Sequence, residues 1–338
     1  MSWQGQVNRP GASAGSAKAA MGIAALVTLL LALIVISACD LGGNASNPNG
    51  PNGPNGPGSD QQPSKEPRDN TPVVLIAEQP AYSVIEDSQA IIDYSNAALG
   101  YIRAQSLTEG NYKVLLYSPD GSMYIYYLDE PYRYITIGLS CGDGEYQAGV
   151  YQHIRGDSYA RVISVDFTVE LEDPLKPFLY PNQYVEFEPD DEAVRLSQEL
   201  TEGATSEVEA IDAIYTWCVL NLSYDYGKAA TVKPGYLPTN ADTLESLDGI
   251  CFDYAVLCAS MLRAQRLPCK LEIGYYGDVY HAWITVYTTE DGVIRREIVF
   301  NPEAWTFLDP TIDSTQATVF GLGKPPTNYH DYLPMLFY

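Results

Sequence analysis

Hydrophobic and polar positions follow different rhythms in successive parts of this chain, and each rhythm predicts a different kind of structure. Over residues 73–188, short apolar or aromatic runs recur between turn signals, at 73–77, 112–117, 123–127, 134–139, 146–151 and 160–169. Pro119-Asp120-Gly121 and Gly142-Asp143-Gly144 lie between such runs, and these residue types favour tight turns. Several short strands at this spacing predict an Ig-like β-sandwich over 73–188. From Asp190 the period lengthens. Residues 190–200 and 206–222 place apolar side chains three and four apart, and Ile211, Ile214, Tyr215, Cys218 and Leu222 form one stripe, as on a helix. A loop rich in Gly and Pro follows over 223–240. Another helix is expected over 251–266, with Ala255, Cys258, Ala259 and Leu262 turned inward and Pro268 ending it. Strands are expected at 269–276, 280–288 and 294–300, with Asp291-Gly292 as a hairpin turn, then a short strand through 305–308 to Asp309. The fold class is α+β: a β-rich domain, 73–188, ahead of a domain of helices packed on an antiparallel sheet, 189–338.

The first 72 residues have neither rhythm. Residues 19–38 run for 20 positions without a charge, behind Arg9 and Lys18, and Cys39 follows. A basic stretch, an apolar stretch and small residues before a processing site make an export signal over 1–38. Ile36-Ser37-Ala38-Cys39 resembles a bacterial lipobox, which implies cleavage before Cys39 and a lipid on its thiol. The alternative is an uncleaved signal anchor, since about 20 apolar residues can span a bilayer. Both put the rest of the chain outside the membrane. Residues 39–72 then read as the lipidated cysteine and a tether without fixed structure. Pro-Asn-Gly repeats three times over 48–56, and almost nothing apolar is available to bury. The expected location is extracytoplasmic, anchored to the outer face of a bacterial membrane.

Charge narrows the partners. The 338 residues carry a net charge of −24, which repels nucleic acid and anionic headgroups, so no nucleic-acid partner is expected. The 27 tyrosines suit strands, and packing accounts for them by default; a glycan-stacking or protein-docking face is the sharper alternative. After Cys39 five cysteines remain: Cys141, Cys218, Cys251, Cys258 and Cys269. No CxxC spacing occurs, so neither a zinc site nor any other cofactor is called for. Cys218 and Cys258 fall at apolar helical positions, and a Cys258–Cys269 bridge is conceivable in an exported protein.

Three residues stand in settings that suit one chemistry. Cys251, in Gly249-Ile250-Cys251-Phe252-Asp253, enters a predicted helix, where amide N–H groups and the helix dipole favour a thiolate. Gly249 just before it leaves room for a substrate chain. His281 opens a predicted strand. Ala282, Ile284 and Val286 make that strand's core face, while His281, Trp283 and Thr285 lie on the other, presenting an imidazole beside an indole to a cleft. Asp309 follows Phe307-Leu308, and Pro310 stops the strand there. A thiol needs a base, and the base needs an acceptor to fix its tautomer. Only His153, His281 and His330 could supply that base. Each residue also has a plain reading: a small buried cysteine, a satisfied histidine, a common Asp-Pro turn.

In combination these motifs resemble the transglutaminase-like superfamily, with its papain-like core. The resemblance runs over roughly 205–312. It rests on residues 249–268, on Gly274-Tyr275, on His281-Ala282-Trp283 and on Leu308-Asp309-Pro310-Thr311, with Trp217 and Tyr224-Asp225 upstream. It implies Cys251 as nucleophile, His281 as general base and Asp309 as the residue that orients His281. Tyr224 is the candidate second oxyanion donor, with Trp283 and Gly249 as further substrate-side candidates. The superfamily holds peptidases, amidases, crosslinking transglutaminases and members without catalysis. The expected function is hydrolysis of a peptide or amide bond in a protein or peptide substrate at the cell surface or wall; crosslinking, or a non-catalytic adhesion module, stays open.

Overall fold

Periodicity over 73–188 becomes two four-stranded antiparallel sheets. The computed structural model describes residues 66–295, 298–320 and 331–338. The first sheet orders β1 (Val84–Glu86), β2 (Ala90–Asp93), β3 (Tyr101–Ser106) and β6 (Ile135–Gly138); the second orders β5 (Met123–Leu128), β4 (Tyr112–Tyr117), β7 (Gly144–Arg155) and β8 (Ser158–Val169). Side chains of opposite faces alternate between core and surface: on β4, Tyr112, Val114 and Leu116 are buried and the residues between them are not. Inward faces of the two sheets meet through β2, β7 and β8. Tyrosine supplies much of this core, with Tyr101, Tyr112, Tyr124, Tyr126 and Tyr146 all fully buried. Residues 73–77, expected as a strand, form none; Val73 N–H instead bonds the Ala264 carbonyl.

The helical rhythm yields α1 (Glu192–Leu200), α2 (Glu207–Asn221) and α5 (Cys251–Ala264). Ser206 caps α2 by accepting from Glu209 N–H. Residues 253–264 of α5 are all buried, and α5 packs against α1, α2 and the main sheet. The loop expected over 223–240 contains more order than its composition suggested: β9 (Ser223–Tyr224) and α3 (Tyr226–Thr231), with α4 (Asn240–Ser246) and β10 (Asp248–Gly249) following. The main sheet is antiparallel, in the order β15 (Ala304–Leu308), β12 (Val279–Thr288), β11 (Cys269–Tyr276), β16 (Tyr332–Phe337). Residues 294–300 are not one strand. They belong to a separate hairpin, β13 (Gly292–Ile294) and β14 (Ile298–Phe300), with Arg295 in the left-handed region at φ 48°. After Asp309 comes α6 (Pro310–Phe320).

All described residues belong to one compact unit, Lys65–Tyr338, so 73–188 and 189–338 share one continuous hydrophobic core. Buried Arg263 ties the parts together by donating to the carbonyls of Cys269, Tyr180 and Tyr338, and burial holds its pKa down to about 10. Residues 66–72, read from composition as the end of an unstructured tether, lie against the helical part. Arg68 N–H bonds the Ala204 carbonyl, its guanidinium bonds Gln265, and Asn70 bonds Gln198. Polar side chains found partners there that burial of apolar surface did not predict. The expected export signal over 1–38, Cys39 and tether residues 39–65 lie outside the described residues. Cys258 and Cys269 are both buried and free, so the bridge considered for them is not formed.

Candidate active site

Cys251 is the first residue of α5. Ile250, at the N-cap, has no side-chain acceptor, so the usual cap is missing. Asp253 takes over: its Oδ2 accepts from Ile250 N–H at 2.8 Å. Its Oδ1 accepts from Lys228 Nζ at 2.6 Å and Tyr236 Oη at 2.5 Å. A buried carboxylate with three donors thus fixes the turn that carries the cysteine. Gly249 serves the same turn. A Cβ there would stand 2.5 Å from Asp253 Cβ, so the missing side chain makes room for Asp253. Gly249 is itself buried, and the expected opening for a substrate chain is not what its size provides.

His281 lies on β12 opposite Gly274 of β11. Its Nε2 is 2.7 Å from Asp309 Oδ2. Cys251 lies close enough to act on the ring's protonation as well. Burial works against charging the ring, but the hydrogen bonds to Asp309 and Cys251 and their negative charges outweigh it, pushing the His281 pKa up to about 10. The charged imidazolium is therefore favoured in the folded protein.

Asp309 divides its oxygens between two tasks. Oδ1 accepts from Thr311 and Ile312 N–H, both at 3.0 Å, which caps α6 with Pro310 in its first turn. Oδ2 faces His281 and also accepts from Tyr332 Oη at 2.7 Å. The helix that follows the Asp-Pro step, and the tyrosine that joins the carboxylate, were both missed by sequence reasoning. Nothing local marks Tyr332, which arrives from β16.

Tyr224 is brought beside the start of α5 by the β9–β10 pairing, which sets it opposite Gly249. Burial, then the charge of Cys251, pushes its hydroxyl pKa up to about 12, so it stays a proton donor at neutral pH. Tyr280, unnoticed in the sequence, is also within reach of the Cys251 charge. Trp283 is elsewhere. It is fully buried, its Nε1 donates to Glu272 at 2.9 Å, and Thr285 donates to the other Glu272 oxygen at 2.7 Å. The face expected to open on a cleft is instead covered beyond His281, because a buried carboxylate on β11 satisfies both donors. Trp283 therefore lines His281, with ring centroids 6.0 Å apart, and offers its N–H to no substrate. Trp217 is partly buried against the core.

Residues 194–310 match the model of the transglutaminase-like superfamily, a segment that contains Cys251, His281 and Asp309. A Cytophaga hutchinsonii protein provisionally called a cysteine protease is 16% identical over 68% of this chain and 72% of its own, with a TM-score of 0.37. Red sea bream transglutaminase is 12% identical over 68% of this chain and 49% of its own, with a TM-score of 0.28. A Parabacteroides distasonis protein provisionally called a protease is 25% identical over 28% of this chain and 21% of its own, with a TM-score of 0.24. No curated protein gave a match.

Proposed function

We propose that this protein is a cysteine-nucleophile acyl-transfer enzyme that hydrolyses peptide or amide bonds, exported and held at the outer face of a bacterial membrane by a lipid on Cys39. The observation that carries the reading is His281, bonded to Asp309 at 2.7 Å through Nε2 and near enough to Cys251 for that residue to help raise the ring's pKa. The superfamily match over 194–310 supports it, and the sequence pattern over 1–39 supports the location.

The chemistry follows from these roles. Proton transfer from Cys251 to His281 leaves a thiolate, whose sulfur attacks the carbonyl carbon. Negative charge develops on the carbonyl oxygen, where the Cys251 backbone N–H, at the unpaired start of α5, and the Tyr224 hydroxyl can donate. The tetrahedral adduct collapses, the C–N bond breaks, and the leaving amine takes the proton from His281. The product is a thioester on Cys251 and a neutral imidazole. Water then gives a proton to His281 as its oxygen attacks the thioester, and collapse releases the acid and the thiolate. Asp309 keeps the imidazole oriented throughout without itself taking the proton.

The test is a chromogenic series of amide and ester donors, acid-quenched and analysed by peptide mass mapping. The expected result is an acyl mass on the Cys251 peptide, absent in Cys251→Ala, that decays in water to free acid. Retention of the acyl group until a primary amine is added would replace hydrolysis by crosslinking. No acyl mass on Cys251 across the series would overturn the acyl-transfer reading in favour of a non-catalytic surface module.

A further inference from the structure

Asp309 is held by a residue that lies outside the matched segment. Tyr332 Oη donates to Asp309 Oδ2 at 2.7 Å, the same oxygen that His281 Nε2 reaches at 2.7 Å. The Thr311 and Ile312 amides already fix the other oxygen. With Oδ1 anchored by the cap, the carboxylate plane can still tilt about the Cβ–Cγ bond, and a second donor on Oδ2 removes that freedom.

The tyrosine is itself well fixed. Its ring is buried, 4.7 Å from Tyr276, 5.0 Å from Trp283 and 4.6 Å from Phe307 between centroids. It sits at the start of β16, which pairs with β11 so that Tyr332 stands opposite Tyr276. Gly274, opposite His281, permits this close pairing: a Cβ there would lie 2.1 Å from the Leu333 carbonyl oxygen. The far end of the strand is held from the β-sandwich side. Ser140 Oγ donates to the Phe337 carbonyl at 2.5 Å, and the Tyr338 ring stacks on Tyr184 at 3.8 Å and meets Tyr124 edge-on at 5.4 Å. One strand therefore has a hydroxyl on the triad carboxylate at one end and an aromatic anchor among the sandwich tyrosines at the other.

We propose that Tyr332 is a positioning residue for acyl transfer, a fourth hydrogen-bonded member that acts on His281 through Asp309 and is itself placed by β16. The proposal rests on the reading of Cys251, His281 and Asp309 as a working triad. It assigns no proton transfer to Tyr332; the hydroxyl keeps its proton and holds the acceptor still.

Tyr332→Phe tests it, because the ring and its packing stay while the hydroxyl goes. Two quantities are measured on the chain lacking residues 1–38: the rate of Cys251 alkylation by iodoacetamide between about pH 5 and 7, where histidine-paired thiols differ most from free ones, and the low-field proton resonance of His281 Nε2–H. The expected result is an alkylation rate about tenfold lower than in the parent, the usual scale for one hydrogen bond to a charged group. The His281 resonance should broaden through faster exchange with water, while thermal unfolding shifts by only a few degrees. An unchanged or faster rate with an unchanged resonance overturns the role of Tyr332. If the parent itself shows no reaction in this pH range, the triad reading fails first, and the inference falls with it.

Discussion

At the scale of single residues, the site economises on carboxylates. Asp309 caps α6 with Oδ1 and orients His281 with Oδ2, so its structural and chemical uses can be separated by one substitution. Asparagine is an equally good N-cap, but it must turn an NH2 either to the amides or to His281 and Tyr332. Asp309→Asn is therefore expected to keep the α6 cap and destabilise the fold less than Asp309→Ala does, while slowing acylation of Cys251 about a thousandfold or more. Asp309→Ala should lose both. A stopped-flow acylation assay beside urea unfolding reads the two effects separately. His281 gives a second prediction, from the sign of its shift. Its pKa rises from 6.5 to about 10 on folding. The stability contributed by the charged ring is therefore fully present below about pH 6.5 and drains away as pH rises through 10. Unfolding free energies of the parent and His281→Ala, measured from pH 6 to 10, should converge toward the alkaline end; a constant difference would mean the ring is neutral in the folded protein.

At the scale of elements, legibility followed burial pattern and length. Helices α1, α2 and α5 and strands β11, β12 and β15 could be read from their apolar runs and spacing, although α5 and β12 are buried nearly all round rather than on one face. The strands Ala90–Asp93 and Tyr101–Ser106 carry Asp93, Arg103, Gln105 and Ser106 among their apolar residues, and Arg103 finds its partners in distant segments at Gln79 and Tyr134, so no local pattern marked them. β16 contains Pro334, which argues against a strand, and is tolerated because β16 is the edge of its sheet. Helix α3 has six residues and depends on Asp225 accepting from Lys228 N–H, a cap that composition alone hid in a Gly/Pro-rich loop. Cys251 and Asp309 could be singled out in the sequence because each sits at an element boundary, and His281 because histidines are so few, whereas Tyr332 could not, because only the pairing of β16 with β11 brings it to Asp309. The turn before α5 supports a prediction of its own. In Gly249→Ala the added methyl meets Asp253 at 2.5 Å, so the cap must shift and Cys251 with it. Acylation is expected to fall at least tenfold while melting changes by a few degrees, and a fully active Ala variant would show that Asp253 does not set the position of the nucleophile.

At the scale of the whole molecule, the β-rich part and the helical part are not separable tools. They share a core, Arg263 joins three segments through their carbonyls, and β16 runs from the sandwich tyrosines to Asp309. Cys251 and His281 are thus positioned by contacts from segments far apart in the described chain. What this assembly is proposed to deliver is one thing, a Cys251 thiolate held by a His281 imidazolium. The most direct measurement is the rate of Cys251 alkylation by iodoacetamide from about pH 5 to 10, in the chain lacking residues 1–38 and in its His281→Ala variant. The account predicts substantial reaction well below the ~8.5 at which a free cysteine ionises, and loss of that low-pH limb in His281→Ala. A single limb rising with ordinary thiol ionisation, the same in both proteins, would contradict it.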